Sequence, residues 1–113
     1  MEESVFGKVI DKYSDDDAVE DGFLVDTSSM SKAFNRVTRN LFDLGYENRV
    51  LHHSGLNIPN LMDLMTQATL IVKRNKPDHF YSGLIELPSG SKQKIFIVQN
   101  ESGAFTLMLP GDY

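Results

Sequence analysis

The sequence contains no cysteine, which excludes disulfides, thiolate metal sites and cysteine nucleophiles. No unbroken apolar run exceeds four residues, so the sequence predicts no membrane-spanning helix. The first residues, Met1-Glu2-Glu3, are acidic and lack the apolar stretch of a secretory signal. Together these absences predict a cytoplasmic protein without membrane association.

The composition is that of an ordinary globular protein. The chain has 113 residues, of which 41% are hydrophobic and 24% are charged. That apolar fraction is enough to bury a core against chain entropy, and the length suits one domain. We therefore expect a single domain over residues 1–113, with an acidic N-terminal segment (1–26), a helical part (28–76) and a β-meander (79–110).

Charge is distributed unevenly along the chain. Residues 1–26 hold nine acidic and two basic residues, whereas residues 27–113 hold seven acidic and nine basic ones. The formal net charge of -5 therefore originates at one end of the sequence. Such a pole attracts basic protein surfaces and repels nucleic acid.

Two to three helices are predicted. Ser14 and the aspartates after it are typical of a short capped helix, which Gly22 would end. A 3.6-residue period over 30–44 predicts the second helix. The third begins near Asn57-Ile58-Pro59 and ends before Pro77. Its predicted apolar stripe comprises Ile58, Leu61, Met62, Met65, Thr69 and Val72, broadened by Leu64, Ala68 and Ile71.

The sequence pattern of the C-terminal third is typical of a β-meander. Apolar runs at 80–87, 92–99 and 104–109 are separated by short spacers rich in turn residues. Runs joined in this way pair antiparallel. The sequence therefore predicts an α+β fold, with two to three helices on a three-stranded antiparallel meander. Val5–Ile10 is either an added N-terminal strand or an extended arm. An exposed edge strand of this sheet would allow a homodimer through sheet extension.

The sequence offers no recognisable catalytic or cofactor motif. His52 and His53 are adjacent and His79 is distant, so the histidines make a poor chelate. Nucleophile elbows, phosphate loops and EF-hand patterns are missing. We therefore expect no metal, no cofactor and no enzymatic activity. A hydrolase using carboxylates with His52 and His53 stays open as a third hypothesis.

Two charged groups are candidate binding sites. The first is an acidic surface that would occupy a basic groove on another protein, formed by Asp15, Asp16, Asp17, Glu20 and Asp21. The second is a basic cluster that would bind nucleic acid, formed by Lys73, Arg74, Lys76, Lys92 and Lys94. Phe80, Tyr81 and Phe96 lie near it in sequence, and aromatic rings beside lysines on a sheet bind single strands.

Both ends of the chain carry a family resemblance. The N-terminal segment reads Tyr13-x-x-x-x-Ala18-x-x-Asp21-Gly22-x-Leu24-x-Asp26, and the chain closes with Leu109-Pro110-Gly111-Asp112. This resembles a family of small proteins, known only as a domain of unknown function, that recurs on plasmids, in phages and in bacterial genomes. The family often has an arginine soon after the tyrosine, where this chain has Ser14-Asp15-Asp16.

The resemblance implies a biological context, that of mobile genetic elements, but no enzymatic reaction. Mobile elements carry small accessory proteins that bind and block host defence machinery. We therefore predict a non-enzymatic phage or mobile-element protein that inhibits a host protein, such as a CRISPR or restriction effector, through its acidic surface. The alternative is a small nucleic-acid-binding regulator that uses the basic cluster.

Overall fold

The computed structural model describes residues 15–50 and 53–113. Three helices lie in these ranges: α1 (Asp15–Glu20), α2 (Arg39–Phe42) and α3 (Ile58–Lys73). Among the helices of the described ranges, none has the length and hydrophobicity needed to cross a bilayer. Seven strands and a closing 3-10 helix at Pro110–Asp112 complete the fold. The strands are β1 (Leu24–Asp26), β2 (Phe34–Thr38), β3 (Glu47–Val50), β4 (His53–Leu56), β5 (Phe80–Glu86), β6 (Lys92–Gln99) and β7 (Phe105–Met108).

Five of the strands form one mixed sheet in the order β1-β2-β7-β6-β5. The pairs β5–β6, β6–β7 and β1–β2 are antiparallel, whereas β2 runs parallel to β7. The predicted α+β class and the β5-β6-β7 meander are confirmed. The prediction of a three-stranded antiparallel sheet is wrong, because β1 and β2 extend it beyond β7. The predicted strand at Val5–Ile10 lies outside the described residues.

The prediction of one helix over residues 30–44 is wrong, because only Arg39–Phe42 are helical and Phe34–Thr38 form β2. A β-bulge in β2 explains the difference. The register of β2 against β7 shifts between Phe34 and Arg36, so Phe34 and Val37 both reach the core although they are three residues apart. A bulge of this kind reproduces helical spacing inside a strand. The predicted helical part, 28–76, therefore contains β2 and the β3–β4 hairpin as well as helices.

Helix α3 begins and ends where the sequence predicts. Its first turn contains Pro59, the Asn57 side chain accepts a hydrogen bond from the Asn60 backbone N–H (3.2 Å), and Lys73 lies in its last turn. The buried face, however, is rotated from the predicted stripe, because Met62 is 59% exposed. The residues that enter the core are Leu61, Leu64, Met65, Ala68 and Ile71.

This helix packs on one face of the five-stranded sheet. Alternate strand residues point toward it and are buried: Tyr81, Ile85, Ile95, Ile97 and Leu107. Gly83 also lies in this row, and a Cβ placed on it would stand 2.6 Å from Ile71 Cδ1 and 2.8 Å from Ile71 Cγ1. The missing side chain at Gly83 is therefore what lets α3 approach β5 closely.

Gly83→Ala should lower the free energy of unfolding by about 1–3 kcal/mol, because the added methyl overpacks the contact with Ile71. Gly111→Ala is the matched control, since nothing lies within 4 Å of a Cβ there. Urea unfolding measures both. In an Ile71→Ala background the additional cost of Gly83→Ala should be smaller, because the side chain that the new methyl would crowd is shortened. Equal stabilities for the two glycine variants would contradict the close-packing account.

Tyr46 is a fully buried aromatic residue between α2 and β3. Among the described residues its hydroxyl has no hydrogen-bond partner. Burial, with a smaller contribution from the negative charge of Asp63, raises the pKa of Tyr46 to about 12. Because a tyrosine in the unfolded chain ionises near pH 10, this group destabilises the fold as the pH rises from about 10 to 12.

Tyr46→Phe should therefore leave stability at pH 7 within about 1 kcal/mol of the parent chain, since it removes a buried polar group without removing a hydrogen bond. Above pH 10 the variant should lose stability less steeply than the parent. Chemical unfolding at pH 7, 10 and 11 measures this difference. Parallel pH profiles would show that the hydroxyl is solvated or paired.

Candidate functional site: the open face of the sheet

Helix α1, the part of the acidic segment that precedes β1, packs against β1 at one edge of the sheet. Asp15 and Asp16 belong to α1, and Asp17, Glu20 and Asp21 are exposed. Ala18 is fully buried on the inner side of the helix. Gly22 adopts a φ of +84° directly after the helix, as the sequence predicts. The predicted short helix is therefore confirmed, and its outer side is negatively charged.

An ion pair connects the first two strands close to this segment. Arg36 Nη1 lies 3.1 Å from Asp26 Oδ1. Hydrogen bonds from Ser28, and the charge of Arg36, hold the pKa of Asp26 below its ordinary value. This ion pair links β1 to β2, so its role is structural.

The five basic residues are divided between two places. Lys73, Arg74 and Lys76 are exposed at the end of α3, which covers the inner face of the sheet. Lys92 and Lys94 are exposed on β6 and alternate with Gln93 and Ile95, so they project from the opposite, outer face. The basic residues therefore do not form a single surface.

The histidines are not gathered into one cluster by the described part of the fold. His53 belongs to β4, His79 precedes β5 and contacts the Gln99 side chain, and His52 lies outside the described residues. Over residues 15–50 and 53–113, no group of three or more His, Asp or Glu residues is placed to hold a metal ion.

The outer face of β5 and β6 carries an aromatic cluster. The ring centroids of Phe80 and Phe96 are 4.8 Å apart, and the ring of Tyr113 lies 5.3 Å from Phe80 and 5.7 Å from Phe96, all edge-on. Lys94 Nζ stands 6.0 Å from the centroid of Phe96. Edge-to-face rings stabilise one another beyond their burial, so the cluster is a preformed surface.

The cluster and the residue beside it expose apolar surface to solvent. Leu84 is 67% exposed and faces Lys94 across the β5–β6 pair, and Tyr113 is 47% exposed. Lys92 lies opposite Glu86 at the far end of the same face. We call this surface the open-face patch; its members are Phe80, Leu84, Lys92, Lys94, Phe96 and Tyr113.

A carboxylate positions the C-terminal ring of the patch. Asp112 accepts hydrogen bonds from Thr38 Oγ1 (2.7 Å), Asn40 Nδ2 (2.7 Å) and the Leu109 backbone N–H (3.1 Å). These bonds fasten the closing 3-10 helix to the end of β2. Tyr113 follows directly and is thereby held over β6. The Pro110-Gly111-Asp112 motif thus has a structural role in this fold.

A cavity of about 440 Å³ opens at the start of β5. Its lining combines residues of the α3–β5 connection with the first residues of the strand: Asn75, Lys76, Asp78, Phe80, Tyr81 and Ser82. It brings Lys76, but not Lys73 or Arg74, beside Phe80 of the outer face.

The sequence pattern indicates part of this site. It identified Phe80, Phe96, Lys92 and Lys94 as neighbours, although Tyr81 belongs to the buried inner face. It missed Leu84 and Tyr113. The alternation of β5 could have indicated Leu84, since residues 80, 82 and 84 share a face, whereas the position of Tyr113 depends on the long-range bonds of Asp112.

No protein-family model matches this chain, and no curated protein or solved structure shows significant similarity to it. The resemblance at the two ends of the chain therefore stays a prediction, as does the mobile-element origin that it implies.

Asp112→Ala should cost about 1–3 kcal/mol of stability, because Thr38 is buried and loses its hydrogen-bond acceptor. Urea unfolding measures the loss, and line widths of the Tyr113 ring in NMR spectra report its release. Asp43→Ala is the control, since Asp43 makes only a half-exposed 3.8 Å ion pair with Arg39. Equal effects of the two variants would contradict the positioning role.

Proposed function

We propose that this protein is a non-catalytic binding protein whose target is another protein, and that the open-face patch makes the central contact. The observation that carries the proposal is the exposure of Leu84 and Tyr113 beside the packed rings of Phe80 and Phe96. Contiguous exposed apolar and aromatic side chains on a rigid sheet are typical of protein interaction sites.

The chemistry of the patch indicates the chemistry of its target. The apolar centre would bury apolar side chains of the partner, and aromatic residues often dominate the binding energy of such contacts. Lys92 and Lys94 lie at the rim, where charges contribute mainly to specificity and association rate. A target with apolar side chains surrounded by acidic ones fits this arrangement.

The acidic side of α1 is a second, separate surface. It lies at the β1 edge of the sheet, whereas the patch lies at the β5 edge. Within the proposal, its exposed carboxylates attract a basic region of a target over a longer range. The host-defence effector and its inhibition remain predictions from the sequence.

Single-stranded nucleic acid is a second candidate target. One specific observation favours it, namely that Lys94 stands over the ring of Phe96 on an exposed sheet face. Bases stack on aromatic rings while lysines pair with phosphates. The net charge of -5 weighs against this candidate, because phosphate contacts dominate such binding.

A paired-variant experiment tests the proposal. Proteins captured by the chain from a bacterial lysate are identified, and the purified candidate is titrated against the parent and two double variants. Lys94→Glu/Tyr113→Ala should weaken binding about tenfold or more. Lys73→Glu/Met62→Ala changes the charge equally on the exposed side of α3 and should bind like the parent.

Further arms separate the candidates. Charge reversal of Asp17, Glu20 and Asp21 should slow association and leave the patch contact intact. A fluorescent single-stranded oligonucleotide that binds the parent and is lost with the Lys94→Glu/Tyr113→Ala variant would establish the second candidate instead. Equal affinity of the target for both double variants would contradict the patch as the site.

A further inference from the structure

Among the strands of residues 15–50 and 53–113, β5 is the outermost at one side of the sheet. The backbone hydrogen bonds toward β6 are made by the odd-numbered residues. At the two ends of the strand, the Gln99 N–H donates to the His79 carbonyl and the Leu87 N–H donates to the Ser91 carbonyl, both at 2.8 Å. In an antiparallel pair the intervening residues direct their backbone groups the other way. Phe80, Ser82, Leu84 and Glu86 therefore present their N–H and C=O groups to the outer edge.

A glutamine side chain closes one end of this edge. Gln67 Oε1 accepts a hydrogen bond from the Glu86 N–H (2.8 Å), and Gln67 Nε2 donates to the Glu86 carbonyl (3.0 Å). Asp63 Oδ2 accepts from the same nitrogen (2.8 Å) and orients the amide. Among the described residues, the edge groups left unpaired are those of Phe80, Ser82 and Leu84.

We propose that a second copy of this chain pairs with this open edge, antiparallel and about a twofold axis at Ser82. In that register Phe80 faces Leu84 of the partner subunit, and Ser82 faces Ser82 of the partner subunit. The three open residues of each copy then pair with one another. On either side, the Glu86 backbone groups already bond to Gln67, and the Asp78 N–H already donates to the Tyr81 hydroxyl. The two five-stranded sheets would join into one ten-stranded sheet.

The side chains suit this symmetric pairing. Leu84 is 67% exposed in the single chain, and the register places it beside Phe80 of the partner subunit on the outer face. Phe80, Ser82 and Leu84 carry no charge, so the twofold axis brings no like charges together at its centre. The cavity beside Phe80 and Ser82 leaves space at the edge for an incoming strand.

The edge carries little of the usual protection against such pairing. Natural sheets commonly block an edge with lysine, proline or a bulge, whereas within the described ranges the block on β5 is confined to Gln67 at Glu86. The open stretch of the edge therefore suits a short, self-complementary segment better than a long added strand. The pairing also sets two open-face patches side by side, but it stands independently of the target proposed for them.

Opposite charges at position 82 test the register. Ser82→Lys and Ser82→Glu should each be monomeric, because two like charges would face each other across the twofold axis. An equimolar mixture of the two variants should dimerise again. Ser91→Lys, an exposed serine in the β5–β6 turn, is the control and should dimerise like the parent. Sedimentation velocity from about 10 µM to about 1 mM covers the range expected of a small interface.

Amide hydrogen exchange of the unmodified chain is the second measurement. The amides of Phe80, Ser82 and Leu84 should exchange freely in dilute solution and become protected at least tenfold as the concentration rises. A chain that stays monomeric with unprotected amides throughout this range would overturn the proposal. So would a dimer that persists in Ser82→Lys alone, or edge amides that are protected only when a different protein is added.

Discussion

The structure depends on the insertion of β2 between β1 and β7. Val37 is the centre of this arrangement, because it pairs with Val25 on one side and with Leu107 on the other. Its parallel partner comes from the far end of the chain, so the pairing ties the first third of the protein to its last strand. Long-range pairing of this kind costs loop-closure entropy, which the burial of Phe34, Val37 and Leu107 in one core offsets.

The other functional features follow from this insertion. It brings Thr38 and Asn40 to the C-terminus, where they bind Asp112 and so place Tyr113 on the outer face. It also fills the β7 side of the meander, which leaves β5 as an outer strand. Helix α3 covers the inner face of the sheet and not the outer face. The described part of the chain consequently leaves the outer face of β5 and β6, and the β5 edge, uncovered.

Local signals in the sequence predicted local structure well. Asn57 and Pro59 indicated the start of α3, and turn residues divided the meander correctly, because capping and turn chemistry act within a few residues. The bulge at Phe34–Arg36 disguised β2 as a helix, and its strand character comes from partners distant in sequence. The predicted stripe of α3 included Met62, which is exposed, because periodicity alone does not say which side meets the sheet.

In the candidate site too, local sequence signals placed some residues and tertiary contacts placed the others. Lys92, Lys94 and Phe96 could be assigned to one strand face by alternation, whereas Tyr113 joins them only through the tertiary bonds of Asp112. Nothing in the sequence indicated that Lys73 and Arg74 lie on the far side of the sheet from Lys94. Asp17, Glu20 and Asp21 are exposed on and directly after the short helix α1.

Backbone NMR contacts across β2 test the central claim most directly. The account predicts cross-strand nuclear Overhauser effects from Val37 to both Val25 and Leu107, with extended-chain chemical shifts over residues 34–38. A continuous series of helical contacts between residues three apart, running from 30 to 44, would contradict it.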